Sequence, residues 1–227
     1  MKQKFVFVIL LAVLLSMPAV AQINLGGRVG INLATISETD DLGGDFSFRP
    51  GLNMGGIVEY MLMDPLGLQV EFVLDQFGAV YKEKGSFDWG DMDENVKIRG
   101  NYFSVPMLVR YNLALDDQMT LYGLFGPNVA FLLFGKAKGE EKISGHKIDE
   151  KLSETCKRLD LGVVVGAGVQ MPFDQYIVFV DLRYLYGLTN DFKEGGYLGS
   201  WMDYVFKNRV LSLNFGVSGL FQLDILQ

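Results

Sequence analysis

The chain has 227 residues, one cysteine, one histidine and a formal net charge of -7 at pH 7. That acidity excludes a partner held through nucleic-acid phosphates, and a lone cysteine excludes an internal disulfide framework. Apolar residues make up 49% of the chain, yet beyond the N-terminal segment none of their runs approaches the roughly 20 residues that a membrane-crossing helix needs.

The first element is a predicted signal peptide, residues 1–21. Lys2 and Lys4 form a positive start, Phe5 to Leu15 an apolar run, and Ala19-Val20-Ala21 a small-residue cleavage site. Cleavage is expected between Ala21 and Gln22, which leaves residues 22–227 as one domain. No cysteine stands at the cleavage point, so a lipid-modified N-terminus is not expected.

Beyond it, large apolar side chains alternate with small or polar ones in run after run, the signature of strands with two unlike faces. The predicted strand cores are 23–37, 49–61, 66–81, 97–113, 118–135, 158–172, 175–189 and 208–222. Their connections alternate in kind. Met63-Asp64-Pro65, Ala114 to Asp117 and Pro172-Phe173-Asp174 predict tight turns, whereas 38–48, 82–96, 136–157 and 190–207 predict long loops. For 136–157, a mobile loop and an extension of the flanking strands are both open. Eight strands, short turns at one end and long loops at the other predict an all-β, eight-stranded, antiparallel up-and-down barrel that crosses a membrane.

Alternation alone fits a soluble barrel with an apolar interior as well as a membrane barrel with an apolar exterior. Lysine placement separates them: Lys82, Lys84, Lys97, Lys136, Lys138, Lys142, Lys147, Lys151, Lys157, Lys193 and Lys207 fall in the predicted loops or at strand ends. A soluble surface strand would carry some in its interior. The charges within strands are Arg28, Glu59, Glu71, Asp75, Arg110, Asp160, Asp181 and Arg183, and each shares its parity with Gly, Ser, Asn or another polar residue. They are predicted to face the lumen, as an ion-pair network that plugs it or as the lining of a polar path. The network is preferred, because eight strands leave an interior that side chains fill. The opposite parity, including Val29, Ile31, Val165 and Leu182, is predicted to meet lipid, with Tyr60, Tyr111, Tyr184 and Tyr186 as an interfacial girdle.

Val29 to Leu33, Ser104 to Tyr111, Gly126-Pro127, Gly162 to Val169 and Leu182 to Asn190, taken in this order, resemble the PorT-type outer-membrane β-barrel family of Bacteroidetes. The resemblance spans essentially the whole chain after the signal. It implies a porin-like barrel in the outer membrane of such a bacterium, in contact with its lipid and lipopolysaccharide. The member that names the family serves type IX secretion and gliding, a role that fold alone does not transfer. The C-terminus departs from the usual aromatic ending: Phe221, taken as the end of the last lipid-facing run, is followed by Gln222 to Gln227.

Three chemistries compete with a structural role. An outer-membrane enzyme would need a histidine beside a nucleophile or carboxylate, and His146 stands alone in a loop. The carboxylates of 88–94, or Asp40, Asp41 and Asp45, could present oxygens to calcium, but their spacing is not that of an EF-hand and solvated loops are the simpler reading. Phe192, Tyr197, Trp201, Tyr204 and Phe206 offer a recognition surface for a glycan or protein, or merely interfacial anchors. The expectation is a monomeric, non-enzymatic barrel without cofactor, closed and ion-paired inside. Its role would be structural, adhesive or in assembly, through its long extracellular loops. A narrow porin-like channel is the first alternative and a lipid-modifying enzyme the second.

Overall fold

The structure, a computed structural model, describes residues 23–37, 45–87, 90–141, 147–152, 156–189 and 207–221. The predicted signal peptide, Asp40, Asp41, Asp88, Trp89, His146, Tyr197, Trp201 and Tyr204 lie outside the described residues. Among the described residues nine strands form: β1 (Ile23–Ser37), β2 (Asp45–Met63), β3 (Leu66–Phe87), β4 (Gly90–Ala114), β5 (Thr120–Glu141), β6 (Lys147–Lys151), β7 (Leu159–Phe173), β8 (Tyr176–Gly187) and β9 (Lys207–Phe221). Eight of them close a barrel. Each pairs antiparallel with its neighbour, β5 pairs directly with β7, and β9 returns to β1 with Phe221 opposite Ile23. Closure leaves no sheet edge within the wall, the condition for strands to cross lipid.

Short connections gather at the end that holds Ile23 and Phe221. Only Asp64 and Pro65 separate β2 from β3, and only Asp174 and Gln175 separate β7 from β8. Asp174 has a φ of 57°, a left-handed conformation that two-residue hairpins require and Asp tolerates. Between β4 and β5, the Asp116 carboxylate accepts hydrogen bonds from the backbone N–H groups of Gln118 (2.8 Å) and Met119 (2.7 Å) and pins the turn.

At the opposite end the strands outrun their predicted limits, which corrects the long loop expected at 82–96. β3 and β4 stay paired from Lys82 opposite Asn95 to Phe87 opposite Gly90. In 136–157 the backbone also extends as strand, β5 reaching Glu141 and accepting β6 along its side. Lys82, Lys84, Lys136, Lys138, Lys147, Lys151 and Lys207 therefore stand in strands rather than loops, and Lys97, expected at a strand end, lies within β4. All lie at this far end.

The exterior is apolar around the ring. Val29, Phe72, Phe125, Val165, Leu182 and Phe215 each expose about half of their surface, and a belt of this kind on every strand is what a soluble barrel avoids. One irregularity changes the pattern. Asn101 pairs with Phe134 and Tyr102 with Leu132, so Leu133 is an extra residue in β5. Leu133 and Phe134 both point outward, and the outward parity of β5 shifts from odd to even positions beyond this bulge.

Candidate functional site

The lumen is built from the inward parity of eight strands, and it has two storeys. Nearer the short-turn end, Arg28 on β1 donates from Nε to Glu71 Oε2 at 2.8 Å and from Nη1 to Asn214 Oδ1 at 2.7 Å. Arg183 on β8 donates from Nη1 to Glu71 Oε1 at 2.7 Å. Its Nε and Nη2 grip both oxygens of Asp181, two residues away on the same strand face, at 2.7 Å each. Glu71 thus lies between two guanidiniums, with none of its side chain exposed. Asn214 and Tyr122 donate to Asp181 at 2.8 and 3.0 Å.

Arg110 on β4 meets Glu59 at 3.2 Å and packs its guanidinium over the Tyr122 ring, 3.7 Å from the centroid. It donates as well to Asn112, Gln69 and Gln170. Gln69 in turn donates to Glu71. Three arginines and three carboxylates therefore form one connected set, in which a buried cation always has an anion beside it. Such pairing offsets the cost of removing these ions from water.

Two of the eight singled-out residues are held by neutral side chains rather than by a direct arginine pair. Asp75 accepts from Asn32 Nδ2 at 3.2 Å. Asp160 accepts from Thr189 Oγ1 at 2.7 Å and Asn208 Nδ2 at 2.9 Å, where the barrel wall meets the far connections. The sequence reading did not single out the neutral members: Asn32, Asn53, Gln69, Tyr122, Gln170 and Asn214 relay the network between charges. For Asn32, Asn53, Gln69 and Gln170 a signal was present, since each shares the inward parity of a charged residue on its own strand, whereas among the described residues Tyr122 and Asn214 have no inward charge on theirs.

Above the charges lies an apolar storey that the expectation of a polar lumen did not include. Ala34, Ile36, Phe77, Ala79, Val96, Ile98, Tyr102, Leu132, Ala137 and Val210 are buried inside the wall. The rings of Phe77 and Tyr102 pack with centroids 4.9 Å apart. Leu152 and Cys156, in the connection from β6 to β7, are buried in the same cluster. Where the storeys meet, Arg28, Asp75, Phe77, Asn128, Arg183 and Val210 enclose a cavity of about 30 Å³, room for about one water.

Among the described residues, no group of three or more His, Cys, Asp or Glu side chains is placed to hold a metal ion. The carboxylates of this lumen are matched with arginines and amides rather than converging on one another. What the arrangement does chemically is neutralise and fill.

Residues 16–193 match the family model described as the outer membrane protein beta-barrel domain. The chain belongs to that family. No curated protein sequence matches it. Among solved barrels, it is similar to the attachment invasion locus protein Ail of Yersinia pestis in complex with the heparin analogue sucrose octasulfate: 19% identity over 88% of this chain and 99% of that one, TM-score 0.40. It is similar to Neisserial surface protein A at 15% identity, 87% and 97% coverage and TM-score 0.45. It is similar to OprG from Pseudomonas aeruginosa at 13% identity, 90% and 97% coverage and TM-score 0.49. Membership in the outer-membrane barrel family agrees with the lipid-facing exterior and gives the polar parity its place inside.

Proposed function

We propose that this is a non-enzymatic outer-membrane barrel whose interior serves as a rigid post, and whose structural, adhesive or assembly role is carried by the extracellular ends of its strands and loops. The single observation that carries this reading is the side-chain packing of the lumen: an ion-paired storey beneath an apolar one, with a cavity of about 30 Å³ where they meet. A post of this kind resists deformation while holding its far end above the outer leaflet. The PorT-type assignment within Bacteroidetes, the monomeric state and cleavage of residues 1–21 belong to this proposal.

Planar-bilayer recording on the purified full chain tests it. Membranes that stay silent are expected. Reproducible openings that change size with Arg110→Ala or Glu71→Ala would replace this reading with the narrow porin. Tyr197, Trp201 and Tyr204 are proposed as contact residues for a glycan or protein partner. Their joint substitution by Ser is expected to reduce partner recovery after crosslinking on cells.

A further inference from the structure

The chain is acidic overall, yet the bulge at Leu133 brings cations together on the outside of the wall. Lys136 and Lys138 of β5 turn outward beside Lys97 and Arg99 of β4: Lys97 is directly opposite Lys138, and Arg99 directly opposite Lys136. Lys136 in turn stands opposite Lys151 of β6. Like charges in directly facing positions repel, so these facing pairs do not neutralise one another. On the other side of Arg99 is Gly78, whose φ of 150° is a conformation closed to side chains, and β3 therefore leaves the guanidinium uncovered.

Arg49, Lys97, Arg99, Lys136 and Lys138, with Gln76, Asn101 and Phe134, line an external groove of about 620 Å³. Among the described residues, no carboxylate is in that lining. Arg49 Nη1 is buried there with no hydrogen-bond partner among the described residues. Asp149 reaches Lys138 only at 3.8 Å, with more than half of both side chains in solvent, a pairing of little strength. Lys97, Arg99, Lys136 and Lys138 are on the outward face of β4 and β5. Phe131, Leu133 and Phe134 lie on the same β5 surface at and below the groove, and Phe134 is 64% exposed.

We propose that this groove binds a phosphate group of an outer-leaflet glycolipid, the lipid A part of lipopolysaccharide, with acyl chains lying on Phe131, Leu133 and Phe134. A soluble polyanion would supply the charge but not use the apolar surface continuous with it, and a phosphate-free lipid would leave the cation rows unmatched. The inference rests on the outer-membrane reading and is independent of whether the lumen is closed.

The test is native mass spectrometry and titration of the full chain in detergent micelles with bis-phosphorylated lipid A, its dephosphorylated form, inorganic phosphate and a sulfated heparin fragment. Bis-phosphorylated lipid A is expected to bind, with the affinity falling about tenfold to a hundredfold in the Lys97→Gln, Arg99→Gln, Lys136→Gln, Lys138→Gln variant. Removing the phosphates from lipid A is expected to do the same to the native chain, a comparison that does not depend on the folding of any variant. Inorganic phosphate should compete weakly, because it lacks the acyl contacts. Equal binding of both lipid A forms, or of lipid A to both proteins, overturns the site, as does binding of the heparin fragment in preference to lipid A. Loss of the site with a silent bilayer recording leaves the closed post intact, whereas a conducting barrel that binds lipid A leaves the site intact.

Discussion

Glu71→Ala is expected to cost this barrel about 3–5 kcal/mol, the penalty for leaving buried charge without its partner. Glu71 is the one carboxylate that bridges two arginines, Arg28 and Arg183, and its side chain is wholly enclosed. Its removal leaves Arg183 with Asp181 and Arg28 with the amide oxygens of Asn53 and Asn214, both still deep inside the barrel. Asp75→Asn is the matching control. Asp75 is also buried, but its partner is Asn32, and an amide oxygen can accept the same hydrogen bond. Reversible urea unfolding in lipid vesicles should show a large fall in midpoint for Glu71→Ala and a much smaller one for Asp75→Asn. Equal midpoints for Glu71→Ala and the native chain would mean that the ion pairs do not hold the lumen.

The second large effect concerns the other face. Leu182→Arg is expected to destabilise the barrel by about 2–4 kcal/mol, the depth-dependent cost of a cation at the middle of the lipid face, falling to about 0–1 kcal/mol near the interfaces. Leu182 faces outward, lies between Tyr176 and Tyr186 along β8, and has Leu213 of β9 directly opposite. Tyr176→Arg at the short-turn end should therefore be far milder than Leu182→Arg. A cost that does not depend on depth, or that persists after transfer to a lipid-free aqueous medium, would show that Leu182 does not meet lipid.

Much of this was legible from residue parity. The alternation of Gly26, Arg28, Gly30 and Asn32 against Val29, Ile31 and Leu33 predicts β1 as it stands, and the tight turns at Asp64-Pro65 and Asp174 follow from local turn chemistry. Legibility ended where lipid ended. The paired stretch from Lys82 to Phe87 carries no alternating apolar parity and has the composition of a loop. The extra residue at Leu133 was hidden for a related reason: Val129 to Phe134 are all apolar, and a continuous apolar run conceals which residue is out of step. The lumen charges stood out because a charge within a strand is conspicuous. Their amide relays did not, because Asn and Gln are equally at home on a solvated face, and only the register that sets Gln69 beside Glu71 and Arg110 distinguishes them.

The central claim is that one parity of each strand meets lipid while the other is sealed inside a closed barrel. Nitroxide labels placed singly along β9 in a Cys156→Ser background, in lipid bilayers, test it most directly. At Leu211, Leu213, Phe215 and Val217 the label should collide freely with oxygen dissolved in the bilayer and be shielded from a water-soluble nickel chelate, whereas at Ser212 and Ser218 it should be shielded from both. Nickel access at Ser212 and Ser218 would reveal a water-filled channel, and oxygen access at those positions with none at Leu213 and Phe215 would turn the barrel inside out.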